Sequence, residues 1–148
     1  MEVQIKISVI IPVYNGEKYI ERCLDLLNKQ NFSEKWEIIM VDDASTDKSK
    51  DVIKKSKLPN LKLLSLTENS GQSAARNIGI SNAKGEYIYM QDVDDLISSN
   101  SLNTLYKIAK NNDADFVFSD FQRVENSNNQ REGKFNYDTD LNFDYDQI

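Results

Sequence analysis

Short apolar runs alternate with helix-length amphipathic stretches along this chain, and that alternation limits the fold more than any other feature. "KISVIIPVYNG" is β-rich with no period-two alternation, which suits a strand buried on both faces. Pro12 and the "YNG" after it end the strand in a turn. "EKYIERCLDLLNKQ" places Tyr19, Ile20, Cys23, Leu24, Leu26 and Leu27 at helical spacing. "WEIIMVDDAS" is a second strand, and "STDKSKDVIKKSK" a second helix with Ser45 as its N-cap and lysines on its outer face. "NLKLLSLTENS" reads as a third strand, and "GQSAARNIGISNAKG" as a helix closed by Gly85, with Asn77 and Gly79 packed close to the sheet. "EYIYMQ" reads as a fourth, buried strand, "SSNSLNTLYKIAKNND" as a helix and "ADFVFSD" as a fifth strand. Strands alternating with helices imply an α/β fold: a mostly parallel sheet, helices on both faces and right-handed crossovers.

The composition removes several kinds of chemistry. The chain has 148 residues, enough for one domain. Its net charge of −6 speaks against nucleic acid and anionic lipid as partners, since both select basic patches. There is no histidine and one cysteine, so histidine-based triads, histidine metal sites, zinc clusters and an intrachain disulfide are excluded. Cys23 reads as a core thiol. The apolar run Val9 to Val13 is too short for a signal peptide or a membrane span, so the expectation is a cytoplasmic protein.

Ligands of open parallel sheets bind beyond the carboxyl ends of the strands. Here those ends are polar again and again: Tyr14-Asn15-Gly16, Asp42-Asp43, Thr67 to Gly71, and Asp92-Val93-Asp94-Asp95. Carboxylates converging on one rim repel each other unless a cation joins them. Magnesium or manganese takes carboxylate oxygens and reaches bound phosphates without a full protein cage. Asp92, Asp94 and Asp95 therefore read as the protein's share of a metal–diphosphate site. A plain loop start is the competing reading, because Asp is common there. Asp42 and Asp43 read either as acceptors for a nucleoside or as solvated turn residues. Gly71 opens a helix whose N–H groups, with Arg76 nearby, suit an anion. Arg76 also reads as the partner of an acid such as Glu86. The stretch lacks GxGxxG and a Walker lysine, so neither nucleotide-loop fingerprint is present.

Taken in order, "SVIIPVYNGEKYIERCLDLLNKQNFSEKWEIIMVDDASTDKS" and "NSGQSAARNIGISNAKGEYIYMQDVDD" resemble the inverting family-two glycosyltransferases, from about Lys6 to about Leu105. The resemblance implies the GT-A fold, a Rossmann-like nucleotide-sugar domain. It implies that Pro12, Val13 and Tyr14 line the nucleobase pocket with Glu17 at its edge, and that Asp43 binds the base beside Asp42. Asn69, Gly71 and Arg76 would border the nucleotide, and Asp92 would face ribose or sugar. Asp94 would hold the manganese or magnesium ion that bridges the phosphates, with Asp92 and Asp95 as neighbours.

The implied reaction transfers a sugar, with inversion, from a nucleotide-diphosphate sugar (a UDP-sugar by preference) to the hydroxyl of a glycan or lipid-linked acceptor in cell-surface polysaccharide or glycan synthesis. A lipid-linked acceptor would bring the protein to the inner face of the membrane. The chain departs from the family after Asp95, where only some fifty residues follow. The family's general base lies further downstream, so the base is expected outside this chain. Asp120 comes too early, and Asp138, Asp140, Asp144 and Asp146 are candidates by elimination. Residues 1–120 are expected to form the donor-binding domain, and the polar, acidic segment 121–148 the start of an acceptor-binding half. A nucleotide-binding domain without catalysis is the alternative. A phospho-receiver is set aside because the strand ends "PVYNG", "TENSG" and "SDFQR" lack its acids and lysine.

Overall fold

A computed structural model describes residues 4–119 and the backbone of 123–124 and 130–131. The chain divides into two units, Met1–Asp115 and Phe116–Ile148. The first runs β1 (Ile7–Val13), α1 (Glu17–Asn28), β2 (Trp36–Asp42), α2 (Ser49–Lys55), β3 (Leu61–Ser65), α3 (Gln72–Ser81), β4 (Tyr87–Met90) and α4 (Ser101–Asn112). The four strands form one sheet in the order β3-β2-β1-β4, every neighbouring pair parallel. In the second unit, β5 (Arg123–Val124) and β6 (Gln130–Arg131) pair antiparallel.

Side chains of β1 alternate between two cores. Ile7, Val9, Ile11 and Val13 pack with Ile38 and Met40 of β2 against Ile20, Cys23, Leu24 and Leu27 of α1, Ile53 of α2 and Leu102 of α4. Ile10, Ile39 and Val41 face Ala75 of α3 on the other side. Fully burying one such aliphatic side chain contributes about 1.5–3 kcal/mol, so the two central strands account for much of the stability. Cys23 belongs to the first core as expected, and burial pushes its thiol up to about 11.

α3 lies close to the sheet because Gly79 has no side chain. A Cβ there would run into a methyl of Ile10 and reach 3.4 Å from Val41. Gly79→Ala is therefore expected to lose about 1–2 kcal/mol in a urea melt, overpacking outweighing the gain in helix propensity. Asn77 does not share this role, being exposed.

Four expectations are corrected. β4 is an edge strand, not a buried one: Ile88 and Met90 are 40% and 44% exposed. Ala114–Ser119 of the expected fifth strand carries no strand, since an apolar run becomes a strand only where its backbone finds a ladder partner. Ser45 does not cap α2, which starts at Ser49. α3 stops at Ser81, and Gly85 serves instead a close approach, its absent Cβ lying 2.7 Å from the Ile7 carbonyl carbon and 2.8 Å from Ser8 Oγ. Asp120, Asp138, Asp140, Asp144 and Asp146 fall outside the described residues, as do the side chains of the acidic tail. Among the described residues no helix is long and apolar enough to cross a membrane.

Candidate functional site

The chain leaves β1 to build β2 and β3 on one side, then returns to place β4 on the other. That reversal opens a crevice beyond the carboxyl ends of β1 and β4, where ligands of such sheets bind. The crevice is a cleft of about 420 Å³. Pro12, Val13, Tyr14, Asp43, Asn69, Gly71, Asp92 and Asp94 line it, all expected from the sequence. Asn15, Gly16 and Val93, from the same strand ends, line it as well, and so do Tyr19 and Gln72, which were not expected there. Tyr19 sits in the apolar helical pattern of α1, which gave no sign that its ring would turn to the cleft. Glu17, Asp42, Arg76 and Asp95 stand outside the lining.

Each of these side chains has identifiable partners. Asp43 is 2% exposed and accepts the N–H of Ser70 on Oδ1 and of Gly71 on Oδ2, both at 2.8 Å. Gly71, at φ 86, turns the chain into α3, a conformation glycine adopts without steric penalty. Asp42 is buried and accepts the Ser45 N–H at 3.2 Å. Arg76 pairs with Asp92 rather than Glu86: its Nη2 donates to Oδ1 at 2.5 Å, where Gln72 Nε2 also donates at 3.1 Å. Glu86 is held by Lys6 and Lys110. Arg22 Nη2 donates to the Asp94 carbonyl at 2.8 Å and ties the β4 loop to α1. Among the described residues no hydrogen-bond donor reaches the Asp94 carboxylate.

Among the described residues, three aspartates line the cleft and no lysine or arginine does, Arg76 reaching it only through its pairing with Asp92. The crowding shows in Asp95, whose carboxyl is raised above the ordinary range by partial desolvation first, then by the charges of Asp92 and Asp94. A carboxyl raised in the folded state adds stability at low pH, and that contribution is lost as pH rises through the folded pKa. Asp95→Asn is therefore expected to melt above the parent protein at neutral pH. The difference should close once pH falls below about 3.9, the ordinary aspartate value. A variant melting below the parent at pH 7 would contradict the repulsion.

Residues 8–147 match the family described as "Glycosyl transferase family 2". The chain belongs to glycosyl transferase family 2. Among family-two relatives, it is 44% identical over 123 residues to a poly(ribitol-phosphate) beta-glucosyltransferase of Bacillus spizizenii, covering 80% of this chain and 19% of that protein. Its fold matches S. aureus TarS 1-349, solved in complex with UDP-GlcNAc, with a TM-score of 0.68 and 39% identity over 72% of this chain and 32% of that one. The mannosyltransferase PcManGT of Pyrobaculum calidifontis, solved with GDP-Man and Mn2+, matches with a TM-score of 0.67 and 30% identity over 73% of this chain and 33% of that one. This family-two chain thus spans roughly a fifth to a third of the length of these proteins. Its parallel sheet with helices on both faces is the Rossmann-like GT-A arrangement.

Proposed function

We propose that residues 1–120 form the donor site of an inverting glycosyltransferase that takes its sugar from a nucleotide-diphosphate sugar, by preference a UDP-sugar. The acceptor is a hydroxyl of a cell-surface polymer or lipid-linked glycan. The work would be done in the cytoplasm, at the inner membrane face when the acceptor is lipid-linked. The observation that carries this reading is the cleft at the sheet's reversal point, lined among the described residues by Asp43, Asp92 and Asp94 and by no basic side chain. A diphosphate entering it meets the carboxylates of Asp92 and Asp94 among neutral polar groups, and a divalent cation between them would offset the repulsion.

The residues fit such an ion in part. Among the described residues, no three His, Cys, Asp or Glu side chains converge to hold one by themselves. Magnesium and manganese do not require that, because phosphate and water complete the shell. Asp94 lines the cleft, its carboxylate accepts no hydrogen bond from the described residues, and it is assigned as the principal ligand, with Asp92 and Asp95 beside it. When bound, the cation supplies Lewis-acid neutralisation of the departing diphosphate.

The chain's own side chains do the rest. Pro12, Val13 and Tyr14 form the wall for the base, and Asp43 stands at its polar end with Asp42 behind it. Asn69 and Gly71 border the nucleotide. Arg76 and Gln72 hold Asp92 by one oxygen, which orients the other toward ribose or sugar. Glu17 stands at the edge, outside the lining, its carboxylate accepting the Lys48 N–H. No described residue is assigned as the base that takes the acceptor's proton.

A thermal melt with UDP and manganese tests the reading. At a hundredfold excess over Kd, binding adds about 2.7 kcal/mol, a rise of several degrees. No rise with either UDP or GDP would overturn the donor assignment. A rise without any release of UDP from UDP-glucose or UDP-N-acetylglucosamine would reduce the role of this chain to nucleotide binding.

A further inference from the structure

The loops after β1 and β2 are bonded to each other reciprocally. Three successive N–H groups of the first donate to side chains of the second: Asn15 to Ser45 Oγ at 3.0 Å, Gly16 to Ser49 Oγ at 2.8 Å and Glu17 to Asp47 Oδ2 at 3.1 Å. Three successive N–H groups of the second donate back: Thr46 and Asp47 to Asn15 Oδ1 at 2.8 and 3.3 Å, and Lys48 to Glu17 Oε2 at 2.8 Å. Asp47 also accepts the Ser49 N–H on its other oxygen at 2.8 Å, so one carboxylate serves both loops. Desolvation, the largest single influence, pushes the Asp47 carboxyl up, but the Ser49 hydroxyl and then the Ser49 and Glu17 N–H groups outweigh it and hold the carboxyl below the ordinary range. Ser49 is fully buried.

Backbone strain marks the same place. Asn15 and Ala44 adopt left-handed conformations, at φ 51 and φ 56. Asparagine tolerates that region, but alanine does so at a steric penalty and persists there only when its surroundings impose it. The two strained residues adjoin Tyr14 and Asp43, which line the cleft. Asp47 and Ser49 do not line it.

We propose that Asp47 and Ser49 are positioning residues that lock the β1 loop onto the β2 loop and thereby preset Tyr14 and Asp43 for the nucleoside of the donor. This rests on the donor reading above. The lock exists before any ligand arrives, so binding does not have to order these loops, which is the usual source of affinity in a preorganised site.

The test compares UDP affinity, with manganese, of the full chain and of Asp47→Asn, Ser49→Ala and Leu102→Ala, each at a temperature where it is folded. Leu102 is a buried residue of α4, outside the cleft, and its truncation controls for plain loss of stability. The expected result is a Kd raised at least fivefold in the two loop variants and within twofold of the parent in Leu102→Ala. Loop variants that bind as the parent does would overturn the inference. So would an equal loss in Leu102→Ala, since affinity would then only follow stability. A parent chain that binds no nucleotide would overturn the donor reading and the inference with it, a result distinct from the other two. Amide exchange of the unaltered protein gives an independent check. The N–H groups of residues 15–17 and 46–48 should be protected without ligand, and unprotected rates there would refute the lock.

Discussion

Asp43→Ala is expected to lower both stability and nucleotide affinity. Its carboxylate holds two neighbouring N–H groups at 2.8 Å, and charge-assisted bonds of this kind contribute about 1.5–3 kcal/mol each. Ser70 and Gly71 are exposed, so the released N–H groups regain water and part of that loss is returned. A net loss of about 1–3 kcal/mol in a urea melt follows. The larger consequence is local. The turn that carries Asn69 and Gly71 loses its tether, and on the proposed donor reading the base would lose its acceptor. Affinity for UDP should fall tenfold or more even with a chelator present, read by equilibrium titration. An unchanged melt and an unchanged affinity would leave Asp43 a turn residue with no part in the site.

Asp94→Ala is expected to separate binding from folding. The Asp94 side chain is exposed, and Arg22 holds this residue through its backbone carbonyl, which the substitution keeps. The melting temperature should stay at or slightly above that of the parent, because one charge of a repelling group is gone. UDP binding that depends on manganese should disappear. Full manganese-dependent binding in Asp94→Ala would move the metal role to Asp92 or Asp95. A large fall in melting temperature would instead make Asp94 a structural loop residue.

Much of the first unit was legible because its central strands are buried on both faces, and continuous apolar runs such as those of β1 and β2 have few other solutions. The edges were harder. "YIYM" has the composition of a core strand, yet β4 pairs on one side only and leaves Ile88 and Met90 in solvent. "DFVF" reads as a strand by residue type, but strand character depends on a partner backbone that residue type does not specify. The strand-end clusters located the cleft because topology puts every parallel strand's carboxyl end on one rim. The partners within it were not legible. Asp43 bonding to residues 70–71, Arg76 choosing Asp92 over Glu86, and the lock between residues 15–17 and 45–49 are contacts across loops whose relative placement only the fold determines. Ser45 illustrates the limit: its sequence position suits a helix cap, while its hydroxyl accepts an N–H from the other loop.

The central claim is that this cleft takes a nucleotide diphosphate through a divalent cation, because the described residues that line it include three aspartates and no lysine or arginine. Calorimetric titration of UDP into the chain, with manganese and again with chelator, tests it most directly. The account predicts saturable binding with manganese that weakens at least tenfold with chelator. Equal binding under both conditions would contradict it, leaving a nucleotide pocket in which Asp92, Asp94 and Asp95 hold no metal.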